Sequence, residues 1–195
     1  MQVTITEAAR RKQIIDAAVE VIADLGYAKT SFARIVERAE LSSTRLISYH
    51  FADKNDLMMA VLISSVGTLD ELLNARLEGL TGRAEMLRAY IEVRVELLRT
   101  HPKQLRAITE VADNHRAADG SPMFAPLLTD FRVGRMERQL RQGQREGVFA
   151  EFDPAVMANT ISSAIEGVAR SGLPLDGYGR ELADLFDRAT RAAAQ

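Results

Sequence analysis

The sequence predicts an all-α chain: an amino-terminal three-helix module followed by a larger helical domain, about nine helices in all. Three observations predict it. Apolar residues recur at three- and four-residue spacings through nearly every segment. No stretch combines strict alternation with β-branched and aromatic enrichment over strand length. The five prolines, Pro102, Pro122, Pro126, Pro154 and Pro174, all lie in the last half, mostly where helices begin or end. At 195 residues the chain has the length of one domain, or of a small module fused to a larger one, since domains hold roughly 100 to 200 residues.

In the first segment Ile14, Ala18, Ile22 and Leu25, widened by Ile15 and Val19, form an amphipathic stripe from about Thr6 to Leu25. Gly26 ends it as a left-handed cap. Thr30 or Ser31 offers an N-cap for a short helix through about Ala39, with Phe32, Ile35, Val36 and Ala39 facing inward. Ser42 or Ser43 can cap a second short helix to about Tyr49, with Leu46 and Ile47 as its buried contacts. Asp53 or Asn55 then starts a much longer helix carrying Leu57, Val61, Leu62, Val66, Leu69, Leu72, Leu73 and Leu77, before Gly79 and Gly82 interrupt. The module boundary falls at its start, giving segments 1-54 and 55-195. Further helices are predicted near 83-100, 103-117, 123-147, 154-172 and 179-193. The turn signals between them are His101-Pro102, Asp119-Gly120-Ser121-Pro122, Gly147 to Asp153 and Leu173 to Gly177.

Composition excludes several classes. Without cysteine there are no disulfides, cysteine-ligated zinc sites, iron-sulfur clusters or thiol nucleophiles. The longest apolar run, Leu57 to Ile63, is far short of the roughly 20 residues that span a bilayer, and Met1 to Lys12 lacks a secretory apolar stretch. A cytoplasmic protein is expected, with no membrane partner. None of His50, His101 or His115 follows a Glu by three residues, so a di-metal carboxylate bundle is not indicated. Asp113 and His115 point roughly 200° apart on a helix and make a poor metal pair. Gly-x-Ser-x-Gly elbows and phosphate-binding glycine loops are missing as well. No enzyme, cofactor or metal is expected. The net charge is −2, divided as +1 through Lys54 and −3 beyond, which by itself announces no nucleic-acid binder.

Position is more informative than composition. Two short helices joined by a tight turn and braced by a longer preceding helix form a helix-turn-helix, whose second short helix enters a DNA major groove. On that helix Ser42, Ser43, Thr44, Arg45 and Ser48 are small or polar, suited to base edges and phosphates rather than to packing. Arg45 carries its guanidinium and is the candidate for a bidentate contact with guanine. Tyr49 and His50 end the helix, and Lys54 opens the next, where an ammonium can hold a phosphate. Arg10, Arg11 and Lys12 are further candidates for phosphate or minor-groove contact.

The stretch Tyr27-Ala28-Lys29-Thr30-Ser31, then Ile35, Ala39 and Ser42, and above all Ile47-Ser48-Tyr49-His50-Phe51-Ala52-Asp53-Lys54-Asn55-Asp56-Leu57 resembles the DNA-binding module of the tetracycline-repressor (TetR) family. The resemblance covers about residues 7 to 60 at motif level. It implies nine or ten helices, a homodimer and a transcriptional repressor released from its operator by a small molecule. Carried over position by position, it implies phosphate contacts for Tyr49, His50 and Lys54, with Thr30 or Ser31 anchoring the second helix on the DNA backbone. Two departures stand out. Glu40 occupies the family's usual glycine in the turn, and the run from Ser42 to Tyr49 is one residue longer than the commonest spacing. A left-handed non-glycine residue costs about 1 kcal/mol, so Glu40 is expected in a right-handed or bridge conformation.

Segment 55-195 reads as a ligand-binding and dimerisation domain. Tyr90, Arg94, Glu110 and Phe124 are the candidate ligand contacts, because polar and charged groups among apolar neighbours need partners. The effector is expected to be partly apolar. The last two predicted helices mix small residues with apolar faces, and Ile161, Ile165, Val168, Leu182, Leu185 and Phe186 are the candidate dimer contacts. Partners are therefore operator DNA, a second copy and a small-molecule effector. The alternative is a helical adaptor that binds protein beside residues 83-131 and has lost DNA contact.

Overall fold

The computed structural model describes residues 2-116 and 120-192, and among these every regular element is helical. The elements are α1 (Gln2–Leu25), α2 (Phe32–Arg38), α3 (Arg45–His50), α4 (Lys54–Leu77), α5 (Arg83–Thr100), α6 (Pro102–Asn114), α7 (Ala125–Thr129), α8 (Arg135–Arg145), α9 (Pro154–Ser171) and α10 (Tyr178–Thr190). A π-helical turn, Asp130–Gly134, joins α7 to α8 without a break, so the ten α segments make nine helical rods among the described residues. The all-α expectation holds, and the helix ends fall within a few residues of those predicted. The predicted ends at Ala117 and Ala193, and Asp119 of the turn, lie outside the described residues.

By its internal packing the chain divides into two compact units, Met1–Leu69 with His101–Ala125, and Asp70–Thr100 with Pro126–Gln195. In the first unit α1 packs on α2 and α6, and Ile14, Ala18 and Ile22 of its predicted stripe are fully enclosed. Gly26 ends α1 at φ 82, ψ 164, an extended mirror region rather than the expected left-handed helical one, and open only to glycine. Glu110 of α6 follows the chain here, its carboxylate accepting from the Tyr27 N–H at 2.9 Å. A charge network joins three helices: Arg38 of α2 bonds Glu20 at 2.9 Å and Asp24 at 2.8 Å on α1, while Lys103 of α6 reaches Glu20 at 3.3 Å. The Arg38 hydrogen bond, then that of Lys103, hold the Glu20 carboxyl below its ordinary pKa.

The second unit is built on α5, against which α8, α9 and α10 pack. Gly179 lets α10 approach the backbone of α5: a Cβ there would lie 3.2 Å from the Glu92 Cα and 3.3 Å from the Val95 Cβ. Arg88 of α5 is ion-paired to Asp184 of α10. Asp153 caps α9 by accepting from the N–H groups of Ala155 and Val156, with Pro154 in the first helical position. Arg83 grips Glu146 through two 2.8 Å bonds, and this pair lowers the Glu146 pKa to about 2.

His115, just past α6, is buried in the first unit, stacked on Phe124 with centroids 5.1 Å apart and its Nδ1 3.3 Å from the Tyr27 hydroxyl. Loss of solvation lowers its pKa from the ordinary 6.5, against a smaller upward pull from Asp53. A histidine depressed in the folded state binds fewer protons than in the unfolded chain. Its stabilising contribution is complete above the unfolded value and is lost as pH falls below about 6.5 towards the depressed folded value. In urea titrations at a series of pH values, His115→Phe is expected to reduce the loss of stability between pH 7.5 and 5.

Candidate functional site

The turn between α2 and α3 is fixed by two backbone hydrogen bonds. Leu41 N–H donates to the Val36 carbonyl at 2.9 Å, and Glu40 N–H to that of Glu37 at 3.2 Å. These are the paired bonds of a Schellman ending, which needs a left-handed residue just after the cap. Glu40 is that residue, with φ 52, and it is the one non-glycine with positive φ among the described residues. The expected right-handed or bridge conformation is therefore corrected: the two bonds outweigh about 1 kcal/mol of strain. Gln13 of α1 closes the same turn, its amide donating to the Ala39 carbonyl at 2.8 Å.

The N-cap of α3 is Thr44, with no side-chain cap bond, where Ser42 or Ser43 was expected. Its inner side is Ile47, fully enclosed, with Leu46 only half-buried. Phe51 follows, also enclosed, with the Arg11 guanidinium 4.4 Å over its ring. Just before the helix Ser42 and the cap Thr44 are exposed and Ser43 half-exposed, and its outer side carries Arg45 and Ser48, both exposed. No hydrogen bond among the described residues engages the side chains of Ser42, Ser43, Thr44 or Arg45, while the Ser48 hydroxyl donates to the Thr44 carbonyl at 3.4 Å. Tyr49 is 72% exposed. Its hydroxyl donates to Glu7 at 2.9 Å, a bond that raises its pKa, and its ring meets His50 edge-on at 5.0 Å.

Other predicted residues fall elsewhere. Thr30 is buried and its hydroxyl donates to the Gly26 carbonyl at 2.9 Å, so Ser31 is the exposed cap of α2, accepting from Arg34 N–H at 3.4 Å. Lys54 is half-buried, 4.6 Å over the Tyr27 ring and 3.3 Å from the Tyr27 carbonyl, and burial lowers its pKa. It faces its own loop rather than standing as an open cation at the start of α4. Arg10 bonds Gln13 at 2.7 Å and Lys12 pairs with Asp16 at 2.5 Å. Two cations beside Ser31 escaped the sequence reading, Lys29 and Arg34, both exposed; their position on either side of the α2 cap was the available signal.

The second unit contains an open cavity of about 570 Å³. Leu77, Met86, Leu87 and Met136 give it apolar walls, joined by Tyr90 and Gln139. Of the four candidate ligand residues, Tyr90 lines this cavity, and Arg94 lies one turn along α5 with its Nη1 3.4 Å from the Tyr90 hydroxyl. Glu110 and Phe124 belong to the first unit, where they serve the Tyr27 and His115 contacts described above. Met86, Met136 and Gln139 were not anticipated, because nothing in helical periodicity separates a cavity wall from a core.

Four of the six candidate dimer residues, Ile161, Ile165, Val168 and Leu182, are buried within the second unit itself. They are its core, α9 and α10 both packing towards α5. Leu185 remains 55% exposed, Phe186 is half-exposed, and Val156 on α9 is 62% exposed.

An exposed polar helix, backed by enclosed apolar residues and set by a tight turn against a longer helix, defines a helix-turn-helix regulator. Residues 14–61 match the family described as bacterial regulatory proteins, tetR family. That segment is the family's DNA-binding module, and the chain is similar to transcriptional regulators over it and beyond. It is 29% identical to the HTH-type transcriptional regulator BetI of Cronobacter sakazakii over 199 aligned positions, 95% of this chain and 92% of that one. It is 36% identical to the regulator HbdR of Aromatoleum sp. (strain CIB) over 78 residues, covering 40% of this chain and 34% of the relative. Among solved structures, a transcriptional regulator from Saccharomonospora viridis in complex with choline superposes with a TM-score of 0.76 at 23% identity, over 95% of this chain and all (100%) of that one. AibR in complex with isovaleryl coenzyme A and operator DNA superposes with a TM-score of 0.73 at 20% identity, over 92% and 97%. These two likenesses are of fold. Among the described residues no helix is long and apolar enough to cross a membrane.

The strain at Glu40 is testable. Glu40→Gly is expected to raise unfolding stability in urea by about 0.5–1 kcal/mol, because relief of the left-handed strain exceeds the entropy that glycine adds to the unfolded chain. A loss of stability would show that the Glu40 side chain holds the turn by a contact stronger than the strain.

Proposed function

We propose that the chain is a ligand-responsive, homodimeric repressor that binds a near-palindromic operator and is released by a small molecule. Residues 1-54 form its DNA-binding domain and 55-195 its ligand-binding and dimerisation domain. The observation that carries the reading is the polar stretch leading into α3: Ser42, Ser43 and the N-cap Thr44 before it, and Arg45 in its first turn, offer side chains that no hydrogen bond among the described residues engages, at the start of a helix whose inner side is anchored by Ile47. Arg45 reads a guanine edge, while Ser31, Ser48, Tyr49, His50, Lys29 and Arg34 meet phosphates. Lys54 joins them only by leaving Tyr27, and Thr30 acts indirectly by holding the loop before α2.

Two copies of α3 about 34 Å apart would enter successive major grooves. The exposed Val156 and Leu185, with the small residues Thr160, Ser163 and Gly167 on α9, support pairing with a second copy through α9 and α10. Ile161, Ile165, Val168 and Leu182 support that face from behind. The cavity beside Tyr90 is the effector site. An effector acts only as far as it binds the non-operator form more tightly. The small molecules bound by the S. viridis regulator and by AibR support control of this kind.

Mobility shift on the DNA upstream of the gene tests the reading helix. Arg45→Ala is expected to weaken operator binding by about 1–3 kcal/mol and to relax specificity at one base pair. Tyr49→Ala should weaken binding to all sequences alike, with the salt dependence unchanged because the phenol is uncharged. If both variants bind like the parent at matched salt, α3 is not the reading helix. Leu185→Glu buries a charge in the proposed dimer contact; sedimentation is expected to show monomers, with operator binding lost in parallel.

A further inference from the structure

We propose that the cavity takes an amphiphile with a single carboxylate head, received by the Tyr90 hydroxyl and balanced in charge by Arg94. The proposal rests on the reading of this cavity as the effector site.

Arg94 is 8% exposed, and a guanidinium brings five donors into that environment. Its hydrogen bonds all come from one nitrogen: Nη1 donates to the Tyr90 hydroxyl and to the Phe131 carbonyl, both at 3.4 Å. Both are long beside the usual 2.7–3.2 Å of such bonds. No carboxylate among the described residues pairs with it, whereas Arg83, Arg88, Arg132 and Arg135 of the same unit each hold one. The rings of Tyr90 and Phe131 lie 5.7 and 5.2 Å from the guanidinium carbon. Such contacts offset only part of the desolvation penalty of a buried ion. Arg94 is therefore a cation short of an anion.

Tyr90 connects this charge to the cavity. It lines the wall, and its hydroxyl accepts from Arg94. The phenolic proton has no acceptor among the described residues and is free to be donated. A hydroxyl that accepts from a guanidinium is a stronger donor to an anion. Leu77, Met86, Leu87 and Met136 supply the surface for an apolar body, and about 570 Å³ is ample for a medium-length chain.

Glu71 and Glu78 also border the cavity and taken alone would favour a cationic ligand. Both are exposed, so water satisfies them and salt screens them beyond about 8–10 Å. Arg135, the other cation on the wall, is already paired with Asp70 at 3.0 Å. The buried, unpaired charge outweighs the solvated ones.

The test is calorimetric titration of the purified full chain, without DNA, against three probes sharing one tail at submicellar concentration: decanoate, decanol and decyltrimethylammonium. Decanoate is expected to bind at least about 10-fold more tightly than decanol, and the ammonium most weakly. Arg94→Gln and Tyr90→Phe should each bring decanoate to within about 3-fold of decanol, while Arg94→Lys keeps most of the preference. Circular dichroism checks each variant, and should Arg94→Gln fail to fold, Tyr90→Phe and Arg94→Lys decide. Equal binding of decanoate and decanol, tightest binding of the ammonium, or a preference that survives in the folded variants overturns the proposal. Binding of all three probes without head preference leaves the cavity an effector site and sinks only the carboxylate. Binding of none removes the effector site and the proposal with it.

Discussion

The enclosure of Ile47 and Phe51 in the first unit is the constraint on which the recognition surface depends. A six-residue helix such as α3 is well below the roughly 12–15 residues at which isolated helices become even marginal in water. Its shape must therefore come from tertiary packing. Burying an isoleucine and a phenylalanine contributes about 1.5–3 kcal/mol each, and Gln13 and the Arg38 network tie the preceding turn and helix to α1. The polar face of α3 is left open to solvent because its folding is secured from behind.

The same division of labour explains the low net charge. A reading helix needs few cations if its position is supplied by the scaffold, and the module at +1 through Lys54 spends several of its basic groups internally. Arg38 links α2 to α1, Arg11 covers Phe51 and Lys54 sits over Tyr27. In the second unit many arginines are likewise matched to a carboxylate, and those that are not, Arg145, Arg170, Arg180 and Arg188, are exposed to water; Arg94 is both unmatched and buried, which is why it has chemical meaning.

Helix positions were largely legible in the sequence, because three- and four-residue spacing reports which side of a helix is buried. That signal does not say what does the burying. Ile161, Ile165, Val168 and Leu182 carry an apolar pattern that a dimer seam and an intrachain core produce equally, and here the unit's own core takes them. Glu110 and Phe124 had the composition of pocket residues, yet their partners, Tyr27 and His115, are far away in sequence or hidden in a turn. The short exposed helix α3 was legible from its polar residues and from the motif ending at Leu57. The choice between Thr30 and Ser31, the cap at Thr44 and the left-handed Glu40 depended on hydrogen bonds formed only once α2 and α3 are in place.

The π-helical turn at Asp130–Gly134 was also invisible to periodicity, being read through as one helix. One residue is worth about 100° of rotation in an α-helix, so a single extra position there sets the azimuth of everything that follows in α8. Met136, Leu140 and Gly143 face the interior only because of that offset. Excising one residue from the turn would swing the rod by a quarter revolution or more and carry Met136 away from the cavity. Any residue-by-residue comparison of this chain with a relative whose rod is uninterrupted must accordingly break register between residues 129 and 135, or it will equate inward positions with outward ones.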